Sequence, residues 1–298
     1  MNRSLLIKKP WRRVSVVLIL AMGFVFPCLS FSQTSQTDAP SRFALFDGMR
    51  VHYKSYGKGR DALVFIHCWA GDLTFWREQV AAFEGKARLV LIDLPGHGQS
   101  DKPEIAYTQD LFARAINAVL RDARVRRAVL IGNSMGTPVA RHFYRKYPEK
   151  TRAIVTVDGS LRPLGDKAEF ERFLETVRGA KYQHAVSGFI DSFFAPQTPP
   201  AIREEIKAKM LSTPQHVMVS AMEGMMDAEV WKQDKIDVPL LSIFANMPYW
   251  PPDNEQFLRS IAPNLTYKEI DSVGHFPMLE KPGEFNEILR AFLSKVGS

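Results

Sequence analysis

A mostly apolar run, Arg127-Ala128-Val129-Leu130-Ile131, leads directly into Gly132-Asn133-Ser134-Met135-Gly136, and residues 137–146 continue with helical spacing. Strand, glycine-flanked serine and helix in immediate succession allow few local geometries. The chain must reverse abruptly, so the serine stands at a sharp bend between the two elements. Glycines two before and two after it remove the side chains that would hold strand and helix apart. The bend lifts the serine hydroxyl above the end of a sheet. It also aims the N-terminus of the next helix at the same spot, where unpaired N–H groups and a partial positive charge favour a developing oxyanion. A lone glycine-flanked serine is an ordinary loop; three further segments, in a fixed order, set this one apart.

The 298 residues are 46% hydrophobic and 24% charged, a globular composition long enough for one large α/β domain. The N-terminus reads differently. Arg3, Lys8, Lys9, Arg12 and Arg13 form a basic opening, residues 14–26 are apolar, and Leu29-Ser30-Phe31-Ser32 supplies small residues ahead of Gln33. That is the layout of a secretory signal peptide over residues 1–32. An uncleaved N-terminal anchor is the alternative, although the apolar run is short for a membrane span. The expectation is a periplasmic or secreted protein with no stable membrane insertion after cleavage. Five of the 39 Lys and Arg precede Gln33 and no Asp or Glu does, so the remainder holds 34 basic and 32 acidic residues. The basic character is therefore mostly in the leader. The other Lys and Arg are scattered along the sequence with no dense basic patch, and nucleic acid is not an expected partner. Only Cys68 lies beyond the signal that contains Cys28, so no internal disulfide is available. The cysteines and the seven dispersed histidines lack metal-ligand spacing, and no phosphate-binding glycine motif follows a strand. No metal and no cofactor are expected.

Residues 33–41 are polar and read as a flexible leader. Residues 42–46 and 49–56 read as a hairpin around Asp47-Gly48. Apolar runs at 62–66, 88–92, 129–131, 153–157, 240–244 and 265–270 read as further strands, with helical spacing at 74–83, 111–123 and 282–296. Alternating strands and helices predict a mostly parallel eight-stranded sheet flanked by helices. The core is expected over residues 42–158 and 238–298. Residues 159–237 break the rhythm: they are helix-patterned, rich in Met and Phe, and offer no good strand. Inserted after the sixth strand, they cannot enter a finished sheet and are expected to form a helical cap over the C-terminal strand ends. Met210, Met218, Met222, Met225 and Met226 are expected to pack the cap's own core.

The other three segments are His67-Cys68-Trp69-Ala70-Gly71 after the 62–66 strand, Asp93-Leu94-Pro95-Gly96-His97-Gly98-Gln99-Ser100 after the 88–92 strand, and Gly274-His275-Phe276 near the end. Together with Gly132–Gly136, this set resembles the α/β-hydrolase superfamily over residues 43–296. The nearest pattern is the capped, single-domain group of esterases, C–C hydrolases and cofactor-free haloperoxidases.

The resemblance implies Ser134 as nucleophile, His275 as the base that activates it, and the backbone N–H groups of Trp69 and Met135 as the oxyanion hole. His67 and His97 lie inside loop motifs and are expected to bond nearby backbone. His52, His142, His184 and His216 read as packing or surface residues. The acid departs from the pattern. After the 240–244 strand comes Ala245-Asn246-Met247-Pro248, with alanine for the usual glycine and proline where the carboxylate normally stands. Asp158, at the end of the 153–157 strand, is the first candidate, and Asp253, at a helix start, is the alternative. Cys68 also departs, replacing a glycine, and would be strained at positive φ; it is not expected to be the nucleophile. Asp93 and Asp101 are expected to pin their loop.

The implied activity is cleavage of a small or medium ester-like bond in a small-molecule substrate through an acyl-serine. C–C hydrolysis, lactone opening, perhydrolysis or non-catalytic binding remain alternatives. A serine at this position argues against haloalkane dehalogenase and epoxide hydrolase chemistry, which uses Asp there. The signal layout predicts a mature protein starting near Gln33. Intact mass of the native exported protein checks this, and a membrane fraction retaining residues 1–32 would mean an anchor instead.

Overall fold

The computed structural model describes residues 38–297. The predicted signal peptide over 1–32, Cys28 and the first part of the leader lie outside the described residues. Eight strands make one sheet: β1 (Arg42–Phe46), β2 (Met49–Tyr56), β3 (Asp61–Ile66), β4 (Leu89–Ile92), β5 (Arg127–Asn133), β6 (Thr151–Val157), β7 (Leu240–Ala245) and β8 (Leu265–Ile270). Their order is β1-β2-β4-β3-β5-β6-β7-β8. β2 runs antiparallel to β1 and β4, and every other neighbouring pair is parallel.

Local chemistry accounts for these elements. The hairpin turns at Asp47 (φ 46°) and Gly48 (φ 80°), the two left-handed positions a two-residue β-turn needs. Strands β4 and β7 are buried along their whole length, as both faces of a covered parallel sheet require. Edge strand β8 instead exposes Lys268 and Glu269, which discourages pairing with another chain.

The helices are α1 (Arg77–Phe83), α2 (Gln109–Asp122), α3 (Gly136–Lys146), α4 (Lys167–Arg178), α5 (Tyr182–Asp191), α6 (Pro200–Leu211), α7 (Gln215–Met225), α8 (Asn254–Ile261), α9 (Pro277–Glu280) and α10 (Pro282–Val296). α2 packs on α3, and α1 on α9 and α10. The helix expected from residue 74 is split into a 3₁₀ turn, Leu73–Trp76, and α1. Asp72 causes the split by accepting from Thr74 N at 2.8 Å and capping the short turn. The leader is hydrogen-bonded where it is described. Asp38 accepts from Tyr56 Oη at 2.7 Å, and Ser41 Oγ lies 2.9 Å from His52 Nε2.

Helices α4–α7 occupy the sequence between β6 and β7. Met210, Met218 and Met222 are buried there, and Met225 and Met226 are partly buried against them. The segment is fastened to loops that follow strands. Trp69 Nε1 donates to Met218 O at 2.9 Å, Thr213 Oγ1 to Ala70 O at 3.0 Å, and Tyr107 N to Ser220 Oγ at 2.9 Å. Both its ends are held by α3. Arg141 is 1% exposed and donates to Leu161 O and Asp234, while Arg145 grips both Asp234 oxygens. Burial, then the neighbouring Arg145, lower the Arg141 pKa to about 10. Asp234→Ala would leave that buried guanidinium short of its anion. Stability should fall by about 1–3 kcal/mol in denaturant unfolding; an unchanged midpoint would show that the carbonyls alone suffice.

Candidate active site

The bend after β5 meets the steric demands read from its sequence. Ser134 has φ 52°, in the left-handed region. A Cβ on Gly132 would lie 2.1 Å from Gly136 O, and one on Gly136 would lie 2.5 Å from Ile66 O, so neither position accepts a side chain. Ser134 N donates to Val157 O at 3.0 Å, and Ser134 O accepts from Thr137 N at 2.9 Å. A non-glycine residue held in this conformation costs about 1–3 kcal/mol, offset by the strands around it.

Asp158 follows β6, also at positive φ (42°), and is fully buried. Its carboxylate collects four donors. His275 Nδ1 lies 2.6 Å and Tyr249 Oη 2.7 Å from Oδ2; Ala245 N lies 2.8 Å and Trp250 Nε1 3.0 Å from Oδ1. A carboxylate only accepts, so Nδ1 carries the ring proton and Nε2 is left as the nitrogen that can take another. Burial and the adjacent Asp158 charge push the Tyr249 phenol well above its ordinary value, which keeps it a donor. The hydroxyl reaches the buried carboxylate although the residue as a whole is 44% exposed.

His275 is 9% exposed and braced along its backbone. His275 N donates to Phe193 O at 2.7 Å, and the two rings lie 4.6 Å apart. Gly274 makes room, since a Cβ there would lie 2.2 Å from Phe193 O. Glu280 accepts from the flanking N–H groups of Gly274 (2.9 Å) and Phe276 (3.2 Å), and from Thr198 Oγ1 in the insertion. Asn133 Nδ2 donates to Val157 O (2.9 Å) and to His275 O (3.2 Å). The residue before Ser134 thus joins the bend, the end of β6 and the histidine loop. Among the described residues no hydrogen bond joins Ser134 Oγ to His275; such bonds are commonly loose without substrate.

Trp69 and Met135 are buried, at 5% and 1% exposure, and among the described residues their backbone N–H groups have no acceptor. The conditional strain at Cys68 does not arise: the positive φ (57°) falls two residues later, on Ala70. Cys68 is buried and free, and burial raises its thiol pKa, so it stays protonated. A Cβ on Gly71 would lie 2.8 Å from its sulfur.

The loop histidines bond backbone. His67 Nε2 accepts from Leu94 N at 3.0 Å, leaving Nδ1 to donate to Cys68 O at 2.7 Å. Burial lowers the His67 pKa, and burial first, with the neighbouring His67 ring acting in the same direction, takes His97 to about 3. Asp93 accepts from Leu73 N, Gln99 N and His52 Nδ1 at 2.7, 2.8 and 2.7 Å. Burial works against its charge, but the His52 bond and the other donors hold its pKa below the usual value. Asp101 accepts from Arg50 N at 2.8 Å. Asp253 is turned elsewhere. It stands at the start of α8 with no cap bond from its side chain, is largely exposed, and forms a two-pronged pair with Arg162 at 3.0 and 2.5 Å. Among the described residues no group of three or more His, Cys, Asp or Glu could hold a metal ion.

A family model for the α/β-hydrolase fold matches residues 61–212, just over half of the chain. The chain belongs to the α/β-hydrolase family. Among curated α/β-hydrolase relatives, 3-oxoadipate enol-lactonase 2 of Acinetobacter baylyi is 23% identical over 251 residues, covering 82% of this chain and 93% of that protein. A 2-hydroxy-6-oxononadienedioate/2-hydroxy-6-oxononatrienedioate hydrolase of Burkholderia vietnamiensis is 38% identical over 116 residues, covering 37% of this chain and 40% of that protein. Among solved structures, Est816, an N-acyl homoserine lactone degrading enzyme, is 27% identical with a TM-score of 0.73, covering 84% of this chain and all of that one. A thermophilic esterase from Thermogutta terrifontis has a TM-score of 0.75 at 23% identity, covering 87% of this chain and all of that one.

The sequence reading missed Asn133, Tyr249, Trp250, Phe193 and Glu280. Asn133 was visible inside the serine motif, but nothing local marks its side chain as a bridge. Tyr249, Trp250 and Phe193 act across long sequence separations, and Glu280 folds back on amides four and six residues away with no motif to mark it. Glu280→Ala frees the Gly274 and Phe276 N–H groups. Both amides should exchange with solvent about tenfold faster or more, read by hydrogen exchange and mass spectrometry; unchanged rates would remove Glu280 as a brace.

Proposed function

We propose that this chain is an exported serine hydrolase that cleaves a small or medium ester-like bond through an acyl-serine intermediate. The contact between His275 Nδ1 and Asp158 Oδ2 at 2.6 Å carries the reading, because it orients the imidazole beside a strained serine bend. In the proposed cycle His275 Nε2 takes the Ser134 hydroxyl proton as Oγ bonds to the carbonyl carbon. The carbonyl oxygen gains the electron pair and accepts from the N–H groups of Trp69 and Met135, each worth about 3 kcal/mol on the transition state. His275 then protonates the leaving oxygen as the C–O bond breaks. Water repeats the sequence on the acyl-serine, with no cofactor or metal.

In this reading the insertion serves as the cap and supplies the acyl pocket. Trp69 lies against Phe189 at 6.0 Å, and Phe189 against Phe193 at 4.8 Å, ending at the His275 ring. An aromatic row of this kind favours an apolar acyl group or ring over a charged one. A cyclic ester is the second reading, supported by likeness to an enol-lactonase and to Est816. C–C hydrolysis, perhydrolysis and binding without turnover draw less support from these observations.

A fluorophosphonate probe should label Ser134 in the folded protein. Ser134→Ala should abolish labelling and lower kcat on the order of 10⁴-fold. Asp158→Asn should cost about 10⁴-fold, as loss of the orienting carboxylate implies, whereas Asp253→Asn should leave kcat within a small factor. A well-folded Ser134→Ala variant with unchanged turnover on esters and lactones would end the acyl-serine reading.

A further inference from the structure

The end of the sheet opposite the serine bend carries a cleft of about 890 Å³. It lies where β3, β4 and β5 begin, so residues far apart in sequence converge there. Lys58 and Arg60 come from the β2–β3 connection, Arg88 from just before β4, and Arg121, Arg124 and Arg126 from the end of α2 and its link to β5; Arg42 of β1 completes the wall. Among the described residues no acidic side chain lines the cleft. This corrects the expectation of scattered basic residues without a dense patch. Seven of the 34 basic residues beyond residue 32 stand together, which leaves 27 basic against 32 acidic residues on the rest.

Most of these charges have no carboxylate partner among the described residues. Arg88 forms the half-buried floor and is used structurally, donating to Gly59 O at 2.5 Å and Ala123 O at 2.6 Å. Arg42 reaches Asp122 only at 4.0 Å. Among the described residues, Lys58, Arg60, Arg121, Arg124 and Arg126 have no carboxylate within ion-pair distance, and all five are exposed. Such side chains on a flat surface would be separately solvated. Gathered around a concavity, they raise the local potential together. Six of the seven are arginines, whose planar forks match phosphate oxygens two at a time.

We propose that this cleft binds an anion carrying clustered phosphate groups, at a site separate from Ser134 and His275. The shared chemistry is several phosphate oxygens held by guanidinium forks; the source is either a soluble polyphosphate or the headgroups of an anionic lipid surface. The proposal does not rest on the hydrolase reading.

The test compares the purified protein with two triple variants of equal charge loss. Arg121→Gln/Arg124→Gln/Arg126→Gln empties the cleft wall while sparing Arg88. Arg172→Gln/Lys268→Gln/Lys295→Gln removes exposed charges elsewhere. Titration calorimetry with inorganic tripolyphosphate should give saturable binding to the unaltered protein and the control. The cleft variant should bind about tenfold more weakly or worse, with the same unfolding midpoint. A parallel arm measures co-sedimentation with phosphatidylcholine vesicles with and without phosphatidylglycerol. Cleft-dependent binding only to the phosphatidylglycerol vesicles supports the proposal and identifies lipid headgroups as the source. Binding to neither probe, or equal weakening in both triple variants, overturns it. Turnover at Ser134 should be the same in all three proteins; its loss in all three would count against the hydrolase reading and leave the cleft result standing.

Discussion

A carboxylate with no access to solvent has to find donors inside the protein, and Asp158 finds them on three separate stretches of chain. Ala245 closes the end of β7, Tyr249 and Trp250 come from the loop after it, and His275 comes from the last connection. Leaving a charged acceptor unpaired at such depth is costly, so these segments are held together by the same group. The loop after β7 therefore keeps a part in the site despite the proline at position 248. In that loop the chain places two donors, Tyr249 and Trp250, that fix the Asp158 carboxylate at the end of the neighbouring strand.

The serine bend supplies the second fixed point. Gly132 and Gly136 let β5, α3 and the end of β3 approach within distances that no side chain tolerates. Asn133 then converts that closeness into a bridge, since its amide reaches the backbone of both Val157 and His275. Position along the chain and position in the site are thereby coupled by main-chain geometry, with little left to flexible side chains.

The parts of this protein that were legible in its sequence obey short-range rules. The hairpin at Asp47-Gly48 needs two left-handed residues, the buried parallel strands need apolar runs, and the bend around Ser134 needs its glycines. Asp158 could be put ahead of Asp253 because it ends a strand; the pairing of Asp253 with Arg162 joins residues 91 apart and left no trace in the sequence. Tyr249 and Trp250 left no local signature, because a hydrogen bond across 91 or 92 residues imposes no periodicity; Glu280 bonds amides only four and six residues away, but a carboxylate closing a loop in this way has no fixed spacing to read. The basic cleft escaped for the same reason. Its arginines come from turns at sheet ends, which are unremarkable one at a time, and only strand order brings them together.

The bond from His275 N to Phe193 O has a mechanical meaning. Phe193 follows α5 in the insertion, while His275 belongs to the loop that closes the core. Any opening that swings this part of the insertion outward must break that bond and part the two rings. Glu280 adds a second tie through Thr198. An open insertion and a fully braced histidine are therefore mutually exclusive states, so whatever loosens one loosens the other.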